Sequence, residues 1–246
     1  NTGRYLLGAH YTGGGASVHR LINGCFEDGV EWVPTGIGAH CIITDAANRY
    51  VMIPHVAGDR GINTVRQFLF DKDSGGLIPN TPSEYSQQDN RGPRHYCFHP
   101  SAPYVYFSNE QESSVTVYSY EPNSGRIEEI QTQSTLPTHY GGNNTCAQLR
   151  ITPNGKFLYS PNRGNDSIAA FSIDENSGML TLINRTPTEA IPRVLDIDLT
   201  GQFLYSAGLE SGHVSAFRIL IDGSLDLIDR YEVGRDPMWI LILQSK

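Results

Sequence analysis

A strand-like segment recurs five times along this chain at intervals of 45 to 54 residues. Each copy begins with an aromatic residue, continues with apolar residues and ends with polar ones. The five segments are RYLLGAH (Arg4–His10), RYVMIPH (Arg49–His55), PYVYFSNE (Pro103–Glu110), KFLYSPNR (Lys156–Arg163) and QFLYSAG (Gln202–Gly208). A repeat of about 40–50 residues that is built from short strands is typical of the blades of a β-propeller.

Each repeat contains four strand signals that are separated by turn residues. In the fourth repeat the strands are CAQLRIT, KFLYSP, SIAAFSI and MLTLINR, with PNG, RGND and DENSG between them. Asn-Gly and Ser-Gly sequences favour tight turns between antiparallel strands. The outer strands alternate apolar and polar residues, as in SSVTVYSY, which is typical of a half-buried strand. The sequence therefore predicts an all-β protein with radial four-stranded antiparallel blades, forming a single domain over residues 1–246.

The two ends of the sequence predict one shared blade. The chain opens on a second-strand segment, RYLLGAH, and closes on a lone first-strand segment, DPMWILIL (Asp236–Leu243). Pairing of Met238–Leu243 with Tyr5–Ala9 would complete the blade shared by the two ends and cover two exposed sheet edges, which otherwise favour aggregation. We expect this pairing to close the ring within one molecule. The alternative is strand exchange between two copies in a homodimer.

Charge and cysteine content restrict the partners and the compartment. The formal net charge of −8 argues against a nucleic-acid-binding surface, although a local cationic pocket can still bind a small anionic substrate. No apolar run is longer than a strand, so no membrane-spanning helix is predicted. The four cysteines include no CxxC pair, and we expect reduced structural cysteines in a cytoplasmic protein. Neither a metal ion nor a cofactor is expected.

Polar residues recur at fixed distances from the aromatic residue of each repeat. Ten residues before it, at the start of the innermost strand, lie His40, Arg94, Ala147 and Arg193. Five residues after it lie His10, His55, Asn109, Asn162 and Gly208, and six residues after it lie Tyr11, Val56, Glu110, Arg163 and Leu209. In antiparallel neighbours the start of one strand lies beside the end of the other. We therefore predict that these positions ring one mouth of the central channel, with Arg94 and Glu110 as nearest neighbours.

A polar residue at a strand end is often a solvated residue without a function. The functional interpretation rests on a recurrence, because charged or imidazole groups occupy the same position in three of four repeats. His95, beside Arg94, is a further candidate, whereas we interpret His99, His139 and His213 as structural. No GxSxG, HExxH or P-loop motif is present.

Longer motifs make the chain resemble a known family. The segments GPRHYCFHP, ITPNGKFLYSPNRGNDSIAAFSI and IPRVLDIDLTGQFLYSAG are similar to segments of the lactonase family of β-propellers. That family includes bacterial propeller-type 6-phosphogluconolactonases and fungal carboxy-muconate lactonising enzymes. Its members have seven blades, so the resemblance implies that about two N-terminal blades are absent from this chain. It also implies catalytic or anion-binding roles for His40, Arg94, Glu110 and Arg163.

The residues and the resemblance leave three functions open. The first is hydrolysis of a small anionic sugar lactone such as 6-phosphogluconolactone, with His40 or Glu110 as the base. Arg94 and Arg163 would clamp the substrate's phosphate or carboxylate. A carboxylate beside arginines is a weaker base, which favours His40. The second function is a lactonising cycloisomerase acting on a carboxy-muconate-type substrate, and the third is a non-catalytic binding module. The residues predicted to bind the substrate are His55, His95, Asn109, Asn162 and Arg193.

Overall fold

The protein consists of strands, turns and loops. The computed structural model describes residues 3–58, 60–88 and 90–243, and within these ranges there is no helix. Twenty strands of the described chain form five antiparallel sheets. Apart from β12 and β13, strands that follow one another within a sheet are hydrogen-bonded neighbours, which confirms the predicted repeat of antiparallel sheets.

The sheets follow one another in chain order. The first sheet contains β1 (Tyr5–His10), β2 (Gly15–Ile22) and β3 (Cys25–Pro34), and the second contains β4 (Ile43–Thr44), β5 (Tyr50–His55), β6 (Thr64–Phe70) and β7 (Leu77–Ser86). The third contains β8 (Pro93–Phe98), β9 (Tyr104–Asn109), β10 (Ser114–Tyr120) and β11 (Ile127–Ser134). The fourth contains β12 (Thr145–Cys146), β13 (Arg150–Ile151), β14 (Phe157–Arg163), β15 (Ser167–Ile173) and β16 (Leu180–Pro187). The fifth contains β17 (Pro192–Ile197), β18 (Phe203–Gly208), β19 (His213–Ile219) and β20 (Leu225–Glu232). In the fourth sheet β12 and β13 both pair with β14, so they are two pieces of one interrupted inner strand.

The chain divides into two compact units, which are Asn1–His95 with Tyr120–Ile127, and Tyr96–Ser119 with Glu128–Lys246. Aliphatic and aromatic residues such as Val51, Ile53 and Phe68 form the core of the first unit. Among the described residues of the second unit, one such cluster surrounds Leu158 and Phe171 and another surrounds Leu204 and Phe217. The organisation of the chain as a single domain stays a prediction.

Short polar side chains close the turns between the first and second strands of a sheet. The Oδ1 atom of Asp45 accepts the backbone N–H of Arg49 at 2.6 Å and that of Tyr50 at 3.1 Å. In the fifth sheet, Oδ1 of Asp198 accepts the N–H of Gln202 at 2.8 Å and that of Phe203 at 2.7 Å. An aspartate that bonds to the backbone a few residues onward favours a turn over a continuing strand, which explains why the strands end here.

In the first four repeats the aromatic residue packs on a turn glycine of the following sheet. These glycines lie between the third and fourth strands at φ values of +69° to +87°. A Cβ atom added to them would lie only 2.3 to 2.6 Å from the neighbouring ring. The pairs are Tyr5 with Gly75, Tyr50 with Gly125, Tyr104 with Gly178, and Phe157 with Gly223. The aromatic residue therefore recurs because it joins one sheet to the next.

The predicted strand Met238–Leu243 is not formed. Residues 233–243 contain no strand, and β1 is the edge strand of a sheet that has three strands within the described ranges. The side chains of Met238, Trp239, Leu241 and Leu243 are 52% to 75% exposed. An apolar segment that gains neither burial nor a hydrogen-bonded partner strand has nothing to hold it extended. The prediction of ring closure by this strand is therefore wrong, and strand exchange between two copies stays a prediction.

Candidate active site

Backbone hydrogen bonds fix the loop between β3 and β4, which contains His40, beside Tyr11 just after the end of β1. The N–H of His40 donates to the carbonyl oxygen of Pro54 in β5 at 3.0 Å. Gly38 donates its N–H to the carbonyl oxygen of Tyr11 at 3.0 Å, and its own carbonyl accepts the N–H of Val56 at 3.1 Å. Gly38 has φ +91°, a conformation that favours glycine. These bonds fix the loop against the ends of β1 and β5.

Three aromatic rings and one guanidinium group form a cluster, which we call the imidazole cluster (Tyr11, His40, Arg94 and His95). The ring of Tyr11 meets that of His40 edge-on at a centroid distance of 5.8 Å, and the rings of His40 and His95 are 4.8 Å apart. Nη1 of Arg94 donates to Nδ1 of His95 at 2.6 Å. Arg94 is 2% exposed, whereas both histidines are partly exposed. The structure thus brings together three predicted site residues and Tyr11, which the register count placed at the mouth without a catalytic or binding role.

A second group, which we call the arginine cluster, contains Glu110, Arg163 and Arg193. Nη2 of Arg163 lies 3.0 Å from Oε2 of Glu110 and donates to the carbonyl oxygen of Cys146 at 2.9 Å. Burial lowers the pKa of Arg193; the positive charge of Arg163 lowers this pKa further, and the charge of Glu110 opposes the change. Two guanidinium groups beside one carboxylate leave an excess of positive charge, which suits an anion. The proximity of Arg94 and Glu110 stays a prediction.

Three of the five positions that lie five residues after an aromatic have fully buried side chains, which cannot contact a substrate. His55, Asn109 and Asn162 are each 0% exposed. Successive side chains in a strand point to opposite faces, so the fifth and sixth positions cannot face the same space. The prediction that these three residues line the mouth and bind the substrate is therefore wrong.

His55 and Asn162 instead anchor the loops that precede the inner strands. Nδ1 of His55 bonds to the carbonyl oxygen of Ile53 at 2.9 Å, and Nε2 bonds to Oγ1 of Thr35 at 3.0 Å. Because a carbonyl oxygen can only accept, Nδ1 carries the proton and Nε2 accepts from Thr35. Burial lowers the pKa of His55 to about 4. In the fourth sheet, Oδ1 of Asn162 accepts from Oγ1 of Thr135 at 2.7 Å, so it occupies an equivalent place.

A pattern in the sequence could have revealed the structural role of the asparagines. Nδ2 of Asn109 donates to Oγ of Ser114 at 2.8 Å, and Nδ2 of Asn162 donates to Oγ of Ser167 at 3.2 Å. In both repeats the serine follows the asparagine by five residues and begins the third strand. A polar pair that recurs at one spacing at the start of a hairpin indicates an internal hydrogen bond.

The connection between β16 and β17 contains a buried carboxylate, Glu189, to which the sequence patterns assigned no role. Glu189 is 3% exposed and accepts from Nε and Nη2 of Arg230, each at 2.5 Å, and from Oγ of Ser215 at 2.5 Å. Burial raises the pKa of Glu189, but these hydrogen bonds outweigh it and hold the pKa at about 2. An added Cβ on Gly208 would lie 2.4 Å from that of Glu189. The repeat thus has glycine where the others have histidine or asparagine, which makes room for this ion pair.

Two features are absent from residues 3–58, 60–88 and 90–243. No group of three or more His, Cys, Asp or Glu side chains in that part of the chain is arranged to hold a metal ion. Among the same residues no helix is long and apolar enough to cross a membrane.

Comparison with known proteins identifies the family. Residues 1–242 match the model of the family described as lactonase, 7-bladed β-propeller. The chain belongs to this family. Two relatives are named 6-phosphogluconolactonase. The one from Serratia proteamaculans is 35% identical over 247 residues, which cover 98% of this chain and 72% of that protein. The one from Pectobacterium carotovorum is 36% identical over 246 residues, which cover 99% of this chain and 72% of that protein.

Two solved structures with the same fold carry the names of gluconolactonases. The periplasmic gluconolactonase PpgL of Pseudomonas aeruginosa matches with a TM-score of 0.85 at 23% identity, over 95% of this chain and 68% of that one. A putative 6-phosphogluconolactonase from Bacteroides fragilis matches with a TM-score of 0.85 at 22% identity, over 96% of this chain and 70% of that one. At these identities the likeness concerns the fold, and it confirms the predicted β-propeller class.

Proposed function

We propose that this protein hydrolyses the ring ester of a phosphorylated sugar lactone such as 6-phosphogluconolactone. The imidazole cluster carries the proposal, because it holds two partly exposed histidine rings 4.8 Å apart beside the guanidinium of Arg94. Histidine is the side chain whose ordinary pKa lies nearest neutrality, so it can accept and return a proton at pH 7. The names of the two bacterial relatives support the choice of substrate.

In this mechanism His40 acts as the base. It takes a proton from a water molecule while the water oxygen attacks the carbonyl carbon, and a tetrahedral intermediate with a negatively charged oxygen forms. The bond between this carbon and the ring oxygen then breaks. The proton held by His40 passes to the ring oxygen, which becomes a hydroxyl group, and the product is the open-chain acid. Water is the only co-reactant that this chemistry requires.

The surroundings of Glu110 support His40 as the base. The carboxylate of Glu110 is in an ion pair with Arg163 at 3.0 Å and accepts from Nε2 of Gln111 at 3.3 Å, so its oxygens are already engaged. Arg163 and Arg193 keep their predicted role as anion ligands, since a guanidinium matches phosphate or carboxylate in a two-point contact. The 2% exposure of Arg94 argues against the direct clamp that the sequence predicted for it.

A variant of His40 tests the proposal. His40→Ala should lower kcat by about 100-fold or more, with a much smaller change in KM, because a base acts mainly in the transition state. Hydrolysis of 6-phosphogluconolactone would be followed by oxidation of the released acid with a coupled dehydrogenase, after subtraction of the spontaneous rate. The unphosphorylated lactone, run in parallel, measures what the phosphate contributes to kcat/KM.

His139→Ala is the matched control, because His139 is an exposed residue outside both clusters. It should leave kcat unchanged. A His40→Ala variant within about twofold of the parent would contradict the assignment of the base. A parent protein that converts carboxy-muconate but no sugar lactone would overturn the proposed function in favour of the cycloisomerase.

A further inference from the structure

We propose that His95 is a neutral hydrogen-bond donor to the carbonyl oxygen of the lactone, and that Arg94 is a positioning residue that fixes the tautomer in which His95 donates. This inference rests on the proposed function and assigns separate tasks to two neighbouring residues that the sequence treated as substrate ligands.

The hydrogen bond between the two side chains determines where the proton of His95 lies. Nη1 of Arg94 is 2.6 Å from Nδ1 of His95. A guanidinium group has donors and no acceptor, so Nδ1 must accept. A neutral imidazole whose Nδ1 accepts carries its proton on Nε2. Protonation of Nδ1 would place two donors face to face and a second positive charge beside Arg94, which disfavours the imidazolium form.

Burial separates the tasks of the two residues. Arg94 is 2% exposed, whereas His95 is partly exposed. The permanent charge is therefore inside the protein, and the imidazole is the part of the pair that can reach a ligand. A charged donor bonded to Nδ1 also polarises the ring, which strengthens Nε2–H as a donor. Through His95, Arg94 can thus act on a substrate that it does not touch.

The position of His95 beside His40 fits a donor to the developing oxyanion. The two ring centroids are 4.8 Å apart. The carbon attacked by the activated water and the oxygen that gains the negative charge are joined by a bond of about 1.2 Å, so the base and the oxyanion donor have to be neighbours. A neutral imidazole can polarise a carbonyl, and it does not repel the proton that His40 acquires.

Two amide substitutions test the roles of the two nitrogen atoms of His95 separately. In His95→Asn, the side-chain oxygen replaces Nδ1 and still accepts from Arg94, but there is no donor at the position of Nε2. In His95→Gln, the amide N–H replaces the Nε2 donor. We expect His95→Asn to lower kcat about 100-fold with little change in KM, as for the loss of one oxyanion donor. His95→Gln should recover at least about tenfold of that loss.

The tautomer can be read independently of activity. Nitrogen-15 NMR of histidine-labelled protein at pH 7.5 should show His95 as the Nε2–H tautomer, with the signals assigned by their absence in His95→Gln. Arg94→Met should convert these signals to a mixture of tautomers. If Arg94→Met does not fold, the tautomer of His95 in the parent protein still tests the inference.

Several results would overturn the inference. An Nδ1–H tautomer or an imidazolium in the parent would remove its basis. A His95→Asn enzyme within about twofold of the parent, or Asn and Gln variants that are equally impaired, would show that His95 does not act as a donor. If His95→Asn is fully active while His40→Ala is inactive, this inference fails and the proposed function stands. If the parent hydrolyses no lactone, both fail.

Discussion

Replacement of the buried imidazole of His55 should make the stability of the fold less dependent on pH. His55 is 0% exposed, and burial lowers its pKa from 6.5 to about 4. In the unfolded chain the same group binds a proton near pH 6.5. Between these values the unfolded state holds more protons than the folded state. The stabilising contribution is therefore fully present above pH 6.5 and is lost as the pH falls toward 4.

The size of the change in the free energy of unfolding follows from the difference between the two pKa values of His55. Each pH unit inside it changes the free energy of unfolding by about 1.4 kcal/mol. Between pH 7.5 and pH 5, only about 1.5 pH units lie below the unfolded-state pKa, so the single group should account for about 2 kcal/mol.

The chain itself supplies a suitable replacement. Asn109 and Asn162 occupy the equivalent position in the third and fourth repeats, and Asn162 bonds to Thr135 as His55 bonds to Thr35. His55→Asn should therefore keep the anchor and remove the titration. We would measure urea unfolding of both proteins at pH 7.5 and at pH 5.

The parent should lose about 2 kcal/mol more than His55→Asn when the pH is lowered. His139→Asn, which removes an exposed imidazole, should behave like the parent. If the parent and His55→Asn lose the same free energy within about 0.5 kcal/mol, which is near the error of such extrapolations, then His55 binds its proton in the folded state and the reasoning is refuted.

Two further predictions concern stability. Gly178→Ala should lower the free energy of unfolding by about 2 kcal/mol or more, because the residue has φ +69° and a Cβ would lie 2.6 Å from the ring of Tyr104. Gly141→Ala, which meets nothing within 4 Å, is the control, and equal melting temperatures for the two variants would contradict the packing argument. Glu189→Gln should make the free energy of unfolding depend less on pH between pH 4.5 and 2. The pKa of Glu189 is about 2 in the folded protein and 4.5 ordinarily. Its stabilising contribution is therefore present above pH 4.5 and is lost as the pH falls toward 2. Circular dichroism during acid titration measures this, and identical curves for parent and variant would refute it.

The strands and turns could be predicted from the sequence because their determinants are local. An aromatic residue, a short apolar run and an Asx or Gly turn lie within a few residues of each other, as around Asp198 and Phe203. The segment Met238–Leu243 has the same local pattern but no strand. A strand also requires a hydrogen-bonded neighbour, and no pattern inside the segment specifies that neighbour.

The candidate site was only partly predictable, because one residue of register decides which face a side chain occupies. The count from each aromatic placed Glu110 and Arg163 in the same register, and the two side chains form an ion pair. It also included His55 and Asn162, which are one position earlier and face the interior. The bond between Arg94 and His95 joins adjacent residues of one strand, and alternation of strand side chains would have placed them apart. Such a contact depends on the length and direction of the arginine side chain, which spacing does not determine.

The contacts between aromatic rings and turn glycines have a direction along the chain. The second, third and fourth sheets each give a ring to the following sheet and receive one from the preceding sheet on their own glycine. Each of these three repeats thus contains both a ring that contacts the next sheet and a glycine that receives the ring of the previous one. Exchanging one whole repeat for another would preserve both joints, whereas a crossover inside a repeat could separate a ring from its glycine. The natural module for recombining or redesigning this protein therefore runs from one aromatic residue to the next, since nearest-neighbour joints of this kind are what hold repeat proteins together.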